Sequence, residues 1–366
     1  MRYYLAILYF LAILPCLYVG SWSDHFGRRK PLCIPFIFSI FASVSLVFAS
    51  VFVSSDIMAF VFLAAGFSGI SGGTMSLTAN CFGYISDITS ELNRTKRIIV
   101  LEAMLFLGGF CGFNLAGLLL SNIGKDLQYA FLVTLALYIV SLIYIFCFLC
   151  ESREVKTADW RYAIKLDHFR KVMKTVFQKR DSAYKRPKIL LLMICGMISV
   201  IAIAAQTSIL FPFLKNLGWE SSLYGYYSGL MNLVNGISLV VILPLACKYL
   251  PHFFSDAIIA IFGFCSKAAG LLLLGFSTST ALVFVTPIVF LFNEFTMPPI
   301  RSLLSKLVND DEKGRIFAFL SACQNVAQFF GTLAFTSLFA ETVNWFPGTC
   351  FEIVALMQII ALLLFL

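Results

Sequence analysis

Four side chains that can ionise stand inside long apolar stretches of the sequence, where charge is energetically costly. Glu102 lies near the start of one stretch, Lys267 lies within another, and Glu294 and Arg301 flank a double proline in a third. Because charged groups are expensive in hydrocarbon, each of them is a candidate functional residue. Their chemistry is proton exchange and anion binding.

The carboxyl group of Glu102 is the candidate proton carrier. It follows the start of its apolar stretch closely and precedes the glycine pair Gly108-Gly109. A carboxyl that takes up and releases a proton suits the coupling of proton flow to another process. The alternative, a carboxyl neutralised in place or paired structurally, stays open.

Arg301 and three other polar residues are the candidate ligand-binding residues. The guanidinium of Arg301 can bind a carboxylate through two parallel hydrogen bonds, although an anchoring role at the membrane surface is equally compatible with its position. Asn293 and Glu294 precede the prolines, and Lys267 is the lone cation of its stretch. Lys267 either pairs with a carboxylate or extends toward the interface.

A compact polar turn at residues 20–31 separates two apolar stretches and reads GSWSDHFGRRKP. Its cations alone are typical of any inner loop of a membrane protein. Two glycines and an aspartate at fixed spacing are not explained by that rule. The residues that this spacing singles out are Gly20, Asp24, Gly27, Arg28 and Arg29.

Composition places the whole chain in a membrane. The 366 residues are 60% hydrophobic and 13% charged, with a mean hydropathy of +0.90, whereas soluble domains carry about 25% charged residues. The net charge of +8 comes from loop cations, so it indicates membrane topology and not a nucleic-acid partner. The eleven cysteines form no Cys/His cluster, so we expect no metal and no cofactor.

The apolar pattern predicts an all-α integral membrane protein with about eleven spans. Most Lys and Arg residues lie on the side of the polar turn, which makes that side cytoplasmic. We predict three regions: an N-terminal bundle at 1–150, a cytoplasmic loop at 151–187, and a six-helix C-terminal bundle at 188–366. The loop centre, Trp160–Lys179, is either a basic amphipathic helix on the inner leaflet or a solvated linker. The predicted spans are 3–20, 32–53, 57–82, 97–121, 128–150, 188–212, 223–247, 255–276, 279–300, 315–340 and 348–366.

Two inner turns repeat the same acidic-then-basic pattern. Asp87–Arg97 reads DITSELNRTKR, and Ser305–Arg315 reads SKLVNDDEKGR; each leads into a long span. Repeats of this kind are typical of transporters built from two related halves, with the substrate site at their interface.

Three motifs together resemble the major facilitator superfamily, and within it the solute-carrier family that contains the proton-coupled folate transporter. They are GSWSDHFGRR at 20–29, the segment from YISD at 84–87 to LEA at 101–103, and the segment from PIRSLLSKLV at 299–308 to GRIF at 314–317. The resemblance implies two pseudo-symmetric bundles and twelve spans, so the first helix is expected to be missing from this chain. Sequence does not say whether a shortened isoform or a gene-model error is the reason.

The resemblance also assigns roles to individual residues. It implies that Glu102 serves proton coupling and that Arg301 binds substrate and proton. It implies that Asp24 and Asp87 shape the inner loops. Family geometry also places Arg315 beside the polar turn, which implies a conformational gate formed by Gly20, Asp24, Gly27, Arg28, Arg29, Asp87 and Arg315. The chain departs from the family pattern in two places: it has no histidine in 188–212, and it has Gly73 at a position where the folate protein carries an acidic residue. The predicted solute is therefore a small organic anion, folate-like or other.

We interpret the sequence as a secondary transporter that moves a small, anionic organic solute together with protons by alternating access. It is expected to be a multi-pass protein of the plasma or lysosomal membrane, with no enzymatic activity. Two alternatives stay open: a non-transporting membrane protein, such as a shortened isoform that senses or modulates, and a transporter without proton coupling.

Overall fold

The computed structural model describes residues 2–51, 57–89, 91–122, 127–152, 173, 175–177, 184–249, 255–308 and 313–366. For some helical residues, including 17–26 and 91–96, it describes the backbone alone. Every regular element within these ranges is a helix. Most of the predicted cytoplasmic loop lies outside the described residues, and of its amphipathic segment Trp160–Lys179 only 173 and 175–177 are described.

The helices confirm the predicted all-α membrane architecture. In the described ranges, nine helical segments are long and apolar enough to cross a bilayer, and Tyr3–Cys16 and Thr349–Phe365 form two shorter apolar helices. We number the α-helices α1 Arg2–Phe26, α2 Arg29–Val51, α3 Ile57–Ile70, α4 Gly73–Asp87, α5 Glu91–Asn122, α6 Leu127–Phe148, α7 Lys185–Asn216, α8 Ser221–Ile237, α9 Leu243–Tyr249, α10 Asp256–Gly275, α11 Thr280–Val289, α12 Met297–Leu307, α13 Lys313–Thr342 and α14 Thr349–Phe365.

One predicted span is broken in the structure. The sequence predicts a continuous helix over 57–82, but α3 ends at Ile70 and α4 begins at Gly73. Gly72 and Gly73 have φ angles of 82° and 62°, in the left-handed region that glycine enters without steric penalty. Two such residues in a row interrupt the helical hydrogen bonds, and hydropathy gives no sign of this because the flanking residues stay apolar.

Packing groups the described helices into two compact units, each described here by itself. The first contains Met1–Ile98, Ile123–Gln178 and Asp310–Phe329. In it α2 lies along α3 and α6, and α1 lies along α3. The Nδ2 atom of Asn325 lies 3.0 Å from the buried Cys16 sulfur, which ties the start of α13 to α1.

The second unit contains Ile99–Asn122, Lys179–Asn309 and Phe330–Leu366. Its core packs α14 against α7 and α10, around large side chains that are fully buried, such as Tyr227, Phe290 and Phe351. The hydroxyl groups of Tyr227 and Thr286 lie 2.6 Å apart and satisfy each other within this core.

Two irregular helical segments interrupt the spans of the second unit. Ser238–Ile242 is a π-helix between α8 and α9, and Phe290–Thr296 is a 3₁₀-helix between α11 and α12. The sequence predicts an interruption at the double proline. The structure places the change of helix type just before it, because Pro298 and Pro299 fit the first turn of α12, where no N–H is needed.

The predicted division at 151–187 into two bundles stays a prediction. The grouping above is by packing, and it places Ile99–Asn122 with the second unit and Asp310–Phe329 with the first.

Candidate functional site

An ion pair between Glu102 and Arg301 is the centre of the candidate site. Nη1 of Arg301 lies 3.1 Å from Oε1 of Glu102, which joins α5 to α12 across 199 positions of sequence, and both residues belong to the second unit. The Glu102 side chain is 16% exposed and that of Arg301 is 36% exposed. The carboxylate is therefore shielded, while part of the guanidinium stays accessible to a ligand.

The position of Arg301 follows from how α12 begins and ends. The helix buries Met297, Pro299, Ile300 and Leu304 along one side. Near its C-terminus, Lys306 Nζ lies 2.6 Å from Asp256 Oδ2, and Ser302 donates a hydrogen bond to the same oxygen. These contacts fix α12 against the start of α10, so Arg301 has a defined direction.

The position of Glu102 follows from a close crossing of α5 and α8. A Cβ atom on Gly225 would come within 3.0 Å of the Phe113 carbonyl and 3.1 Å of the Gly117 Cα. Further along the crossing, a Cβ on Gly109 would meet the Asn232 amide, and one on Gly229 would meet the Asn114 amide. Small residues allow two membrane helices to approach this closely. Glycine on both helices thus holds α5 at a fixed separation from α8.

Three more predicted site residues are linked to this pair through Glu294. Nδ2 of Asn293 donates to Oε1 of Glu294 at 3.0 Å. Glu294 interacts electrostatically with both Arg301 and Lys267, and also with Glu102. The structure therefore brings Glu102, Arg301, Glu294, Lys267 and Asn293 into one electrostatic group within the second unit.

The polar turn after α1 is organised by two carboxylates. Nε of Arg28 lies 2.7 Å from Oδ2 of Asp87, and both side chains are largely buried. Gly27 has a φ of 81° and the Glu151 carboxylate fills the space where a Cβ would stand. The structure describes only the backbone of Gly20 and Asp24, so the predicted role of Asp24 stays a prediction. Arg315 lies in the first turn of α13, partly exposed.

Residues 3–332 match the sequence pattern of the Major Facilitator Superfamily. The chain belongs to this superfamily. Its homologues are transporters and not enzymes, so it is a multi-span membrane protein of a transporter family. The solute-carrier resemblance inferred from the three motifs is confirmed by the relatives that follow.

Two kinds of characterised relative match this facilitator chain along most of its length. It is 27% identical over 347 residues to the lysosomal proton-coupled steroid conjugate and bile acid symporter SLC46A3 of Gallus gallus, covering 93% of this chain and 73% of the relative. It is 27% identical over 340 residues to the proton-coupled folate transporter of Bos taurus, covering 92% and 71%.

Solved structures show the same fold at low identity. The human organic anion transporter MFSD10 superposes with a TM-score of 0.71 and 17% identity, over 100% of this chain and 83% of that one. A partially occluded inward-open conformation of the xylose transporter XylE from E. coli gives 0.70 and 14% identity, over 99% and 86%. These likenesses establish the facilitator fold.

Glu151 binds the polar turn, and the sequence analysis did not select it as a functional residue. Its Oε1 accepts hydrogen bonds from the backbone N–H groups of Arg28 at 2.5 Å and Ser152 at 3.1 Å, and its Oε2 accepts from that of Arg29 at 3.2 Å. The Arg29 side chain also donates to the Phe146 carbonyl. The last turn of α6 and Glu151, which follows that helix, therefore both bind the start of α2. The sequence feature that could have indicated this role is the position of Glu151, a carboxylate directly after the apolar stretch that ends at Cys150.

We expect Glu151→Ala to destabilise the protein by about 1–2 kcal/mol, because helix α2 loses the anion that satisfies its first N–H groups. The measurement is thermal unfolding of the purified protein in detergent. Glu220→Ala is the matched control, since Glu220 directly precedes α8 but its side chain makes no cap hydrogen bond. Equal losses in the two variants would contradict the capping role.

Proposed function

We propose that this protein is a proton-coupled symporter of a small organic anion. The observation that carries the proposal is the 3.1 Å ion pair between Glu102 and Arg301. In this pair the carboxylate is shielded from solvent, while the guanidinium that it binds is partly accessible. A carboxylate and an organic anion compete for the same fork of N–H donors, and this competition is the basis of the coupling.

The coupling step needs only these two side chains. When Glu102 takes up a proton it becomes neutral and no longer holds Arg301 by charge. The guanidinium can then bind the carboxylate or sulfate of the solute through two parallel hydrogen bonds. When the solute leaves, Glu102 releases its proton and pairs with Arg301 again. Solute and proton therefore bind together and leave together, which is the requirement for symport.

The names of the relatives support an organic anion as the solute. One relative is a symporter of steroid conjugates and bile acids, and another carries folate. Bile acids and folate carry carboxylate groups, and conjugated steroids carry a sulfate or a carboxylate, which are anions that a guanidinium such as that of Arg301 can bind. We include a lysosomal or plasma membrane location in this proposal, because the steroid-conjugate symporter is named as lysosomal.

The test is uptake into proteoliposomes with and without an imposed pH gradient, using estrone sulfate, taurocholate and folate as radiolabelled probes. Symport predicts that at least one probe accumulates above its external concentration when the outside is acidic, and only equilibrates when a protonophore is added. Uptake that ignores the gradient would favour a uniporter, and the absence of uptake for all three probes would contradict the proposal.

We expect Arg301→Lys to weaken the apparent affinity for the anion about 10-fold or more. A lysine keeps the positive charge but offers a single point of contact, so the second parallel hydrogen bond is lost. The measurement is the half-saturating concentration of the transported probe, at matched protein level in the membrane.

Lys306→Arg is the control, because Lys306 lies on the same helix and pairs with Asp256 away from Glu102. An unchanged half-saturating concentration in Arg301→Lys would assign Arg301 to anchoring at the membrane surface.

A further inference from the structure

Lys267 is a buried cation for which the coupling step above has no role. Its side chain is 3% exposed, and its Nζ has no hydrogen-bond partner in the part of the chain that the structure describes. A buried ammonium group is costly unless an opposite charge is close. The carboxylate that interacts with it electrostatically is Glu294.

The packing of α10 directs Lys267 toward the segment that carries Glu294. Gly263, Ser266 and Gly270 lie on the same helical face as Lys267, and all three contact the region 289–296. Ser266 Oγ donates to the Val289 carbonyl at 2.5 Å and accepts from the Phe292 N–H at 3.2 Å. A Cβ on Gly263 would lie 2.6 Å from the Thr296 nitrogen, and one on Gly270 would lie 2.7 Å from the Phe290 ring. Lys267 therefore extends from the middle of this contact.

Arg301 has two carboxylates within its electrostatic reach. It pairs with Glu102 at 3.1 Å, and it also interacts with Glu294. The charged groups that face Glu294 from the elements packed around it are Lys267 of α10, Arg301 of α12 and Glu102 of α5. If Glu294 had no cation of its own, then after protonation of Glu102 the Arg301 guanidinium would pair with Glu294 and not with a solute.

We propose that Lys267 is a positioning residue that holds Glu294 as an ionised partner and thereby reserves Arg301 for Glu102 and the solute. The Asn293 amide supports the same state, because it donates a hydrogen bond to Oε1 of Glu294 and such a bond favours the ionised carboxylate. The four charges then form two pairs, Lys267 with Glu294 and Arg301 with Glu102. This inference rests on the proposed function for its consequence in transport, but the Lys267–Glu294 pairing can be tested without it.

The first test is thermal unfolding of the purified full chain in detergent between pH 5 and 8. In Lys267→Met, two carboxylates share the single cation Arg301, so the folded variant takes up a proton that the parent does not bind. Stability of the variant relative to the parent then falls as pH rises, by up to tenfold in the unfolding equilibrium constant per pH unit. Lys267→Met/Glu294→Gln removes both charges and is expected to abolish this extra pH dependence.

Lys215→Met is the matched control, because Lys215 is an exposed cation at the end of α7. It is expected to change stability equally at all pH values in the range. The proposal is overturned if Lys267→Met gains no pH dependence beyond that of Lys215→Met, or if the double variant keeps the dependence.

The second test is uptake of whichever probe the parent accumulates most. Lys267→Met is expected to raise the half-saturating concentration at least 10-fold at pH 7.5 and less at pH 5.5, since Glu294 competes for Arg301 only when it is ionised. The double variant is expected to have a half-saturating concentration at least threefold below that of Lys267→Met. A double variant that stays as impaired as Lys267→Met would overturn the proposal. If the parent takes up none of the probes, the proposed function fails, while the unfolding series still decides whether Lys267 and Glu294 form a pair.

Discussion

Glu102→Gln is expected to abolish accumulation of the solute against its gradient while leaving exchange of solute across the membrane. Glutamine keeps the shape of the side chain but cannot take up or release a proton. It also removes the negative charge that competes with an anion for Arg301, so the guanidinium can bind an anion at any pH. The variant therefore resembles the protonated state of the parent, which binds solute but cannot use a pH gradient.

The measurement compares two experiments on the same proteoliposomes. In the first, an inward proton gradient drives net uptake, and we expect the accumulation ratio to fall to about 1. In the second, vesicles preloaded with unlabelled probe exchange it for labelled probe, and we expect this rate to stay within about 10-fold of the parent. Glu341→Gln, at an exposed position on α13, controls for the loss of a carboxylate. Concentrative uptake by Glu102→Gln at the level of the parent would rule out Glu102 as the proton carrier.

Gly225→Val is expected to be the most disruptive change in the crossing of α5 and α8. The new Cβ would stand 3.0 Å from a carbonyl oxygen and 3.1 Å from a Cα, and both belong to the backbone of α5. Backbone cannot rotate away as a side chain can, so the helices must separate. Overpacking of this kind costs on the order of 1–3 kcal/mol. The separation also moves α5, and with it the Glu102 carboxylate, away from Arg301.

Unfolding temperature and uptake of the transported probe are measured together for this variant, and both are expected to fall. Gly112→Val is the control: it makes the same change on α5, at a position where a Cβ meets no heavy atom within 4 Å. The intrinsic effect of valine in a helix is then the same in both variants and cancels in the comparison. Equal behaviour of the two variants would show that the crossing tolerates separation.

The sequence was sufficient to predict the all-α fold because hydropathy and length act locally. A run of about 20 apolar residues can satisfy its backbone in a bilayer only as a helix, so each span is visible by itself. A charged side chain inside an apolar stretch is also visible from the stretch itself, because its energetic cost does not depend on distant residues. Glu102, Lys267, Glu294 and Arg301 could therefore be selected as candidates.

The pairing among those four residues could not be predicted, because it depends on packing between distant segments. Glu294 and Arg301 are seven residues apart on one apolar stretch, whereas the ion pair of Arg301 is with Glu102, 199 positions away. The same limit explains why Glu151 was missed. Its function depends on the N–H groups of Arg28 and Arg29, more than 120 positions earlier.

The 3₁₀ segment Phe290–Thr296 has a mechanical consequence for α12. Pro298 and Pro299 have no N–H group, so the carbonyls of Glu294 and Phe295 lack the donors that a continuous α-helix would supply. A bend at this point therefore breaks fewer hydrogen bonds than a bend elsewhere in the span, and the stiffness of the span is lowest between Glu294 and Arg301. Asp256 and Ser266 of α10 hold the two sides of this joint, so a bend there changes the distance from the guanidinium to Glu294 only where those contacts yield. The joint is therefore the point of the span at which the separation of Arg301 and Glu294 changes at the lowest cost in backbone hydrogen bonds.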